Sequence, residues 1–112
     1  KPQRKQQLMK REAKLLTDAI PTGAFLIALD RSGISISSEA FARHFQEWTL
    51  ENWRDVAFIV GGAEGIESSL LRKANLKLNM GAQTWPHFLA RCMLLEQIYR
   101  AQSILMNHPY HR

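Results

Sequence analysis

Residues 56–65 read VAFIVGGAEG, and this stretch decides the fold class because an apolar run leads directly into a cluster of glycines. A short continuous apolar run bounded by turn residues is typical of a strand buried on both faces, as in a parallel sheet. The stretch AFLIAL, residues 24–29, is a second such run, and the polar loop Asp30–Gly33 follows it. The stretch LKLNMGAQT, residues 76–84, shows alternation and contains a glycine, which predicts a third strand that runs into a loop.

Helical patterns alternate with these strands. The leucines near the start have helical spacing, and Pro21-Thr22-Gly23 ends their pattern. An aromatic stripe marks the second helix, which Ser37 or Ser38 can cap. The stripe consists of Phe41, Phe45 and Trp48. The first helix is predicted over about Gln3–Ala19. Two further helices are predicted after the second one, over about Glu67–Ala74 and Pro86–Met106. Strands that alternate with helices imply an α/β fold with a mostly parallel sheet flanked by helices.

Length and composition suit one globular domain. The chain has 112 residues, of which 46% are hydrophobic. No apolar run approaches the ~18 residues that a membrane span needs. The single cysteine, Cys92, allows no internal disulfide, which fits a reducing, cytoplasmic compartment. Because Cys92 falls within an apolar helix, we expect a buried thiol and not a nucleophile.

The net charge of +5 is concentrated at the start of the chain. Residues 1–14, KPQRKQQLMKREAK, carry six basic side chains against Glu12 alone, which accounts for the whole excess. A basic stretch at one end favours attraction to a polyanion such as RNA. The alternative interpretation is a solvated helix face that keeps the protein soluble.

Ligands of open α/β sheets bind beyond the carboxyl ends of the strands. Three predicted loops qualify, namely Asp30–Gly33, Gly61–Gly65 and Gly81–Pro86. The glycine cluster lets backbone approach a ligand closely, but it matches neither a P-loop nor GxGxxG. Trp85, in the third loop, is a candidate ligand contact, whereas Trp48 and Trp53 are expected to be packing residues and not platforms on which a ligand stacks.

The sequence ends with NHPYHR, residues 107–112. Two histidines, a tyrosine and an arginine are unusual in a chain end, which is commonly small and polar. His108 and His111 have a spacing that could serve zinc with a third ligand. The other histidines are His44 and His87, and the one thiol lies in the last helix, so we expect no metal site. That last helix is apolar on most sides, which predicts a second partner surface for it.

Four stretches together resemble the family of ribosomal large-subunit pseudouridine N3-methyltransferases (methyltransferase H), of the SPOUT class. They are FIVGGAEG, GAQTWPHFLAR, EQIYRAQSI and the terminal NHPYHR, and the likeness runs from Ala24 to Arg112. Two departures stand out. Ala63 occupies a position where many members have proline, and the family's preceding strand, helix and strand are absent. Lys1 would fall within a basic loop of the family, so we expect the sequence to be part of a longer chain.

The resemblance implies a single domain over residues 1–112 whose C-terminal part is threaded as a trefoil knot. It implies S-adenosylmethionine as cofactor, a homodimer as the active form and a pseudouridine of large-subunit ribosomal RNA as substrate. The matching cofactor positions are Leu29, Gly62, Gly81, Ala82, Gln83, Thr84, Trp85 and Pro86.

The resemblance also places the tail at the site of reaction. Because N3 of pseudouridine carries an imide proton, a base must take it or the site must favour the ionised form. His111 is the candidate base, and Tyr110 and Arg112 are candidates to position the nucleotide or its phosphate. His108 is a further substrate contact, and Arg100 is expected either to contact RNA or to anchor the tail.

Two alternatives remain open on the sequence. The basic first helix would also suit a non-catalytic RNA-binding or ribosome-associated module. A SPOUT enzyme that acts on a different RNA would show the same motifs.

Overall fold

Three parallel strands, in the order β2-β1-β3, form a sheet with helices on both faces. The computed structural model describes residues 2–61, 65–81 and 86–112. The elements are α1 Pro2–Ala19, β1 Phe25–Ile34, α2 Ser38–Leu50, β2 Val56–Val60, α3 Ser68–Arg72, β3 Leu76–Leu78 and α4 His87–Leu105. The predicted α/β class, the parallel sheet and the order of helices and strands are therefore confirmed.

The central strand continues through a segment that the sequence predicted as a loop. Both Leu29 and Ile34 of β1 are in register with Leu78 of β3, so the residues between them bulge out of the ladder. The Asp30 carboxylate accepts hydrogen bonds from the Ser32 backbone N–H at 3.0 Å and from its hydroxyl at 2.5 Å. These bonds lower the pKa of Asp30. The prediction of a loop was wrong because the polar side chains satisfy one another within a bulge.

Gly33 explains how the strand returns to the sheet after the bulge. A Cβ atom at this position would lie 2.5 Å from the carbonyl carbon of Lys77 and 2.6 Å from the backbone of Leu78. Only a residue without a side chain allows this approach of the two strands.

The two faces of the sheet carry separate apolar cores. Ile27 of β1 points into the core formed with α2 and α4, whereas its neighbours Leu26 and Ala28 point into the core formed with α1 and α3. The predicted aromatic stripe of α2 is confirmed. The centroid of the Phe45 ring lies 5.0 Å from that of Phe41 and 4.9 Å from that of Trp48. Trp53 also packs, edge to face, on a neighbouring phenylalanine.

The helix ends show which capping residues the chain uses. Ser37 caps α2, since its hydroxyl accepts from the Ala40 N–H at 3.0 Å. The Glu67 carboxylate caps α3 by accepting from the Ser69 N–H at 3.0 Å. Pro86 is the N-cap of α4 and not its first helical residue.

The last helix is less buried than its composition predicted. Leu94, Ala101 and Ser103 are buried, but Cys92 is exposed, so the expectation of a buried thiol was wrong. Large apolar side chains also remain in contact with solvent, namely Phe88, Leu89, Met93, Leu95, Tyr99 and Leu105. None of the helices in the described part of the chain is long and apolar enough to cross a membrane.

Candidate active site

A cleft of about 410 Å³ opens where β1 and β3 end. Leu29 and Gly81, two of the predicted cofactor positions, both line it. Its other lining residues are Ser35, Ile36, Ser37, Ser38, Phe41, Leu78, Asn79, Met80, Met93, Leu94 and Gln97. The wall is mostly apolar with a few polar side chains, which is the usual make-up of a small-molecule site.

The structure tests the other predicted cofactor positions only in part. Pro86 is exposed at the start of α4 and does not line the cleft. The remaining positions, Gly62, Ala82, Gln83, Thr84 and Trp85, lie outside the described residues.

Asn79 shapes the end of β3 beside the cleft. Its side-chain oxygen accepts from the Gly81 N–H at 2.8 Å, and its amide nitrogen donates to the Arg31 carbonyl at 3.2 Å. Gly81 itself has φ +121°, which side-chain-bearing residues rarely adopt. The side chain of Asn79 therefore ties the bulge of β1 to Gly81, which follows β3.

The first residue of α4, His87, contacts Gly61, the residue that follows β2. Its Nδ1 lies 2.6 Å from the carbonyl oxygen of Gly61. Because a carbonyl only accepts, Nδ1 carries the proton and donates it. The chain just after β2 is therefore held against the start of α4, where Pro86 lies.

The C-terminal tail folds back onto α4 through Glu96. Its carboxylate accepts from Arg100 Nη2 at 2.6 Å and Arg100 Nε at 3.3 Å, and from the Tyr110 hydroxyl at 2.8 Å. The guanidinium of Arg100 also lies 4.9 Å from the centroid of the Tyr110 ring, which packs edge to face on Tyr99 at 4.8 Å. Of the two roles predicted for Arg100, the structure shows the one in which it anchors the tail.

These bonds change how the groups at the tail titrate. The hydrogen bonds from Arg100 and Tyr110 lower the pKa of Glu96. The same bond to Glu96 raises the pKa of Tyr110, because it stabilises the protonated hydroxyl. Near neutral pH, Glu96 is thus an anion that holds a protonated tyrosine and a guanidinium.

Both ring nitrogens of His111 have partners. Its Nδ1 lies 3.0 Å from Arg100 Nη1, and its Nε2 lies 3.5 Å from a carboxylate oxygen of Glu39 on α2. Because a guanidinium only donates, Nδ1 is the acceptor. The geometry therefore assigns a neutral imidazole whose proton sits on Nε2 and faces Glu39. The pKa of Glu39 is lowered, first by its own backbone N–H and then by His111.

The remaining tail residues are close to solvent. His108 and Arg112 are exposed. A turn at Asn107, with φ +56°, lets the His108 N–H donate to the Ser103 carbonyl at 2.8 Å. The Nδ1 of His108 accepts from the Tyr110 N–H at 3.3 Å. The turn after α4 therefore directs Tyr110 and His111 back onto the helix.

A series of hydrogen bonds connects the tail with the cleft. Ser38 and Gln97 line the cleft, and the Ser38 hydroxyl donates to the Gln97 side-chain oxygen at 2.7 Å. The amide nitrogen of Gln97 donates to Glu96 at 3.2 Å, and Glu96 in turn holds Arg100. The motif EQIYRAQSI contains three of these residues, but nothing in its spacing indicated that Glu96 and Gln97 join the two sites. Among the described residues, no group of three or more His, Cys, Asp or Glu could hold a metal ion.

Comparisons with known proteins show the family to which the chain belongs. The family model described as "Predicted SPOUT methyltransferase" matches residues 1–111. A protein from Rhodospirillum centenum named "Ribosomal RNA large subunit methyltransferase H" is 51% identical over 107 residues, which are 96% of this chain and 70% of that protein. Proteins of the same name from Nitrobacter hamburgensis and Paramagnetospirillum magneticum are 50% and 47% identical over 106 residues, or 95% of this chain. The chain spans 66% and 70% of their lengths, respectively, or about two thirds.

Proposed function

Since this chain belongs to the SPOUT methyltransferase family, which confirms the resemblance drawn from its sequence, we propose that it methylates N3 of a pseudouridine in large-subunit ribosomal RNA. The observation that carries the proposal is the cleft at the strand ends, joined by hydrogen bonds to the folded NHPYHR tail. Ribosomal RNA as substrate places the enzyme in the cytoplasm, and residues 1–112 form its SPOUT domain.

The cleft suits S-adenosylmethionine. Its volume of about 410 Å³ falls within the ~300–1,000 Å³ of small-molecule pockets. Leu29 offers an apolar contact, and Gly81, without a Cβ, leaves backbone groups accessible. From the family likeness, Gly62, Ala82, Gln83, Thr84, Trp85 and Pro86 complete the site. When bound, S-adenosylmethionine supplies an electrophilic methyl group.

The tail supplies the groups that act on the nucleotide. Methyl transfer needs the acceptor nitrogen in line with the donor methyl at near-contact distance, so positioning carries much of the catalysis. Tyr110 and Arg112 position the nucleotide, and His108 adds a substrate contact. His111 takes the imide proton at Nδ1, because its Nε2 already carries the proton that faces Glu39. Arg100 must turn away from Nδ1 for that step.

The apolar face of α4 supports a homodimer. Phe88 is 70% exposed and Leu95 is 63% exposed, and further apolar side chains of the helix surround them. Such a surface is typical of an interface and not of a solvated helix. We propose that a second copy of the chain covers it. We also propose the family's trefoil knot, for which the parallel order β2-β1-β3 is a suitable frame.

A non-catalytic RNA-binding module is the second candidate, and the basic residues of α1 favour it. Thermal unfolding with and without S-adenosylmethionine separates the two functions, because a ligand that binds only the folded state raises the unfolding temperature. Methylation of large ribosomal subunits, read as N3-methylpseudouridine by nucleoside mass spectrometry, then tests the reaction. Binding without any methylated product would refute the proposed reaction, and no binding would favour the second candidate.

A further inference from the structure

A second groove, of about 290 Å³, lies between α1 and α3. Three of its lining residues are lysines, namely Lys10 and Lys14 of α1 and Lys73 at the C-cap of α3. The other lining residues are Ala13, Thr17, Glu67, Ser69 and Leu70. All three lysines are exposed, so their ammonium groups can reach a ligand at the mouth of the groove.

The helices hold these lysines in a fixed arrangement. Lys10 and Lys14 are one turn apart on α1 and therefore lie on the same face. Ala13 of that helix packs into the core that contains Leu70 of α3. The packing of the two helices thus places Lys73 across the groove from the α1 lysines.

Glu67 is the one acidic residue of the lining, and α3 already engages it. Its carboxylate accepts from the Ser69 N–H at 3.0 Å and the Leu70 N–H at 3.3 Å, and also from the Ser69 hydroxyl. These bonds, first of all that from the Ser69 hydroxyl, lower the pKa of Glu67. The lining therefore combines three cations with one anion that already caps a helix, and it remains positive overall.

The groove and the tail lie on opposite faces of the sheet. Leu70 and Ala13 belong to the core that receives Leu26 and Ala28 of β1, whereas α4 packs in the core that receives Ile27. A nucleotide held at the tail therefore does not occupy the groove as well.

We propose that this groove binds the phosphate backbone of the ribosomal RNA at a point remote from the nucleotide that is methylated. The proposal rests on the proposed function for the identity of the RNA. Lysine binds phosphate as a point charge without reading sequence, so the groove contributes affinity and orientation and not base specificity. An interaction of this kind, equal in the ground and transition states, alters KM and leaves kcat unchanged.

The double variant Lys10→Glu with Lys14→Glu tests the groove against a matched control. Arg4→Glu with Arg11→Glu makes the same change of charge on the same helix, but neither arginine lines the groove. Each phosphate contact contributes roughly −0.7 to −0.9 to the slope of log K against log salt, so two lost contacts cost about 25- to 60-fold in affinity at ~0.1 M salt. We expect the groove variant to raise KM for large ribosomal subunits by about this factor and to flatten the salt slope. The control should change both much less.

Further measurements keep the result interpretable. Lys73→Glu changes the opposite wall of the groove and should also raise KM for large ribosomal subunits. Circular dichroism and unchanged affinity for S-adenosylmethionine check that each variant is folded. Filter binding of ribosomal RNA measures the groove even if no methylation is detected, so failure of the proposed function and failure of the groove are distinguishable. Equal effects of the two double variants on KM and on the salt slope would overturn the proposal.

Discussion

Replacing Glu96 by glutamine should release the C-terminal tail while α4 stays folded. In the native side chain, Oε2 accepts from Arg100 Nη2 at 2.6 Å and from the Tyr110 hydroxyl at 2.8 Å. Oε1 accepts from Gln97 Nε2 at 3.2 Å and from Arg100 Nε at 3.3 Å. Glutamine keeps one oxygen and replaces the other by an NH₂ group, which only donates. Whichever way the amide turns, two of the four donors lose their acceptor.

We expect the Glu96→Gln substitution to slow methyl transfer. Arg100 also donates to His111, so its displacement moves both the tyrosine and the histidine of the tail. A displacement of about 1 Å in a positioned group can cost about 10²-fold in rate. We therefore expect kcat of the Glu96→Gln variant to fall about 10²-fold. Affinity for S-adenosylmethionine should persist, because Glu96 does not line the cleft.

A tyrosine titration reads the same change without any turnover. The chain has two tyrosines, and the bond to Glu96 raises the pKa of Tyr110. In the Glu96→Gln variant that tyrosine should ionise at lower pH than in the wild type, which ultraviolet difference spectra can follow. Glu47→Gln on α2 is the matched control, since the Glu47 carboxylate lies 3.9 Å from His44 Nδ1 and Glu47 does not line the cleft. If kcat and the tyrosine titration both match those of the control, Glu96 does not position the tail.

Four further outcomes are expected. His111→Ala should lower kcat by ~10²–10⁴-fold, and the pH profile of kcat should lose its acid limb if His111 is the base; an intact profile would make it a positioning residue. Gly62→Val should abolish S-adenosylmethionine binding in calorimetry while the fold persists, and unchanged affinity would show that the site is misplaced. Gly33→Ala should lower the free energy of unfolding by about 1–3 kcal/mol in denaturant titrations, because its Cβ would meet Lys77 at 2.5 Å; equal stability would contradict the close approach. Light scattering should show a dimer at micromolar concentration, and a monomer would argue against the role given to α4.

Local patterns predicted the elements of this fold because each pattern has a local cause. The run VAFIV is a strand because apolar residues fill both of its faces, and the stripe that begins at Phe41 is a helix face. The bulge of β1 escaped prediction because Asp30 and Ser32 look like loop residues until their mutual hydrogen bonds are seen. Cys92 was misplaced because composition alone does not tell which side of an apolar helix is covered.

Some residues of the candidate site could also be predicted from the sequence, and others could not. Leu29 and Gly81 could be predicted from the sequence, since ligand sites lie at the carboxyl ends of parallel strands. Glu96, Gln97 and Ser38 were not, because their role depends on how α4 meets α2 in three dimensions. A partner for His111 on another helix, Glu39, is likewise a product of tertiary packing.

The exposed face of α4 and the tail are parts of one surface. Tyr99 is 51% exposed on the helix, and its ring packs on Tyr110, which is 41% exposed. A second copy that covers α4 must therefore also touch the tail. In the proposed dimer, such contact would hold Tyr110 against Glu96 and so keep the tail in the position from which His111 acts. Dimer formation and catalysis are thus expected to be coupled through the same few side chains.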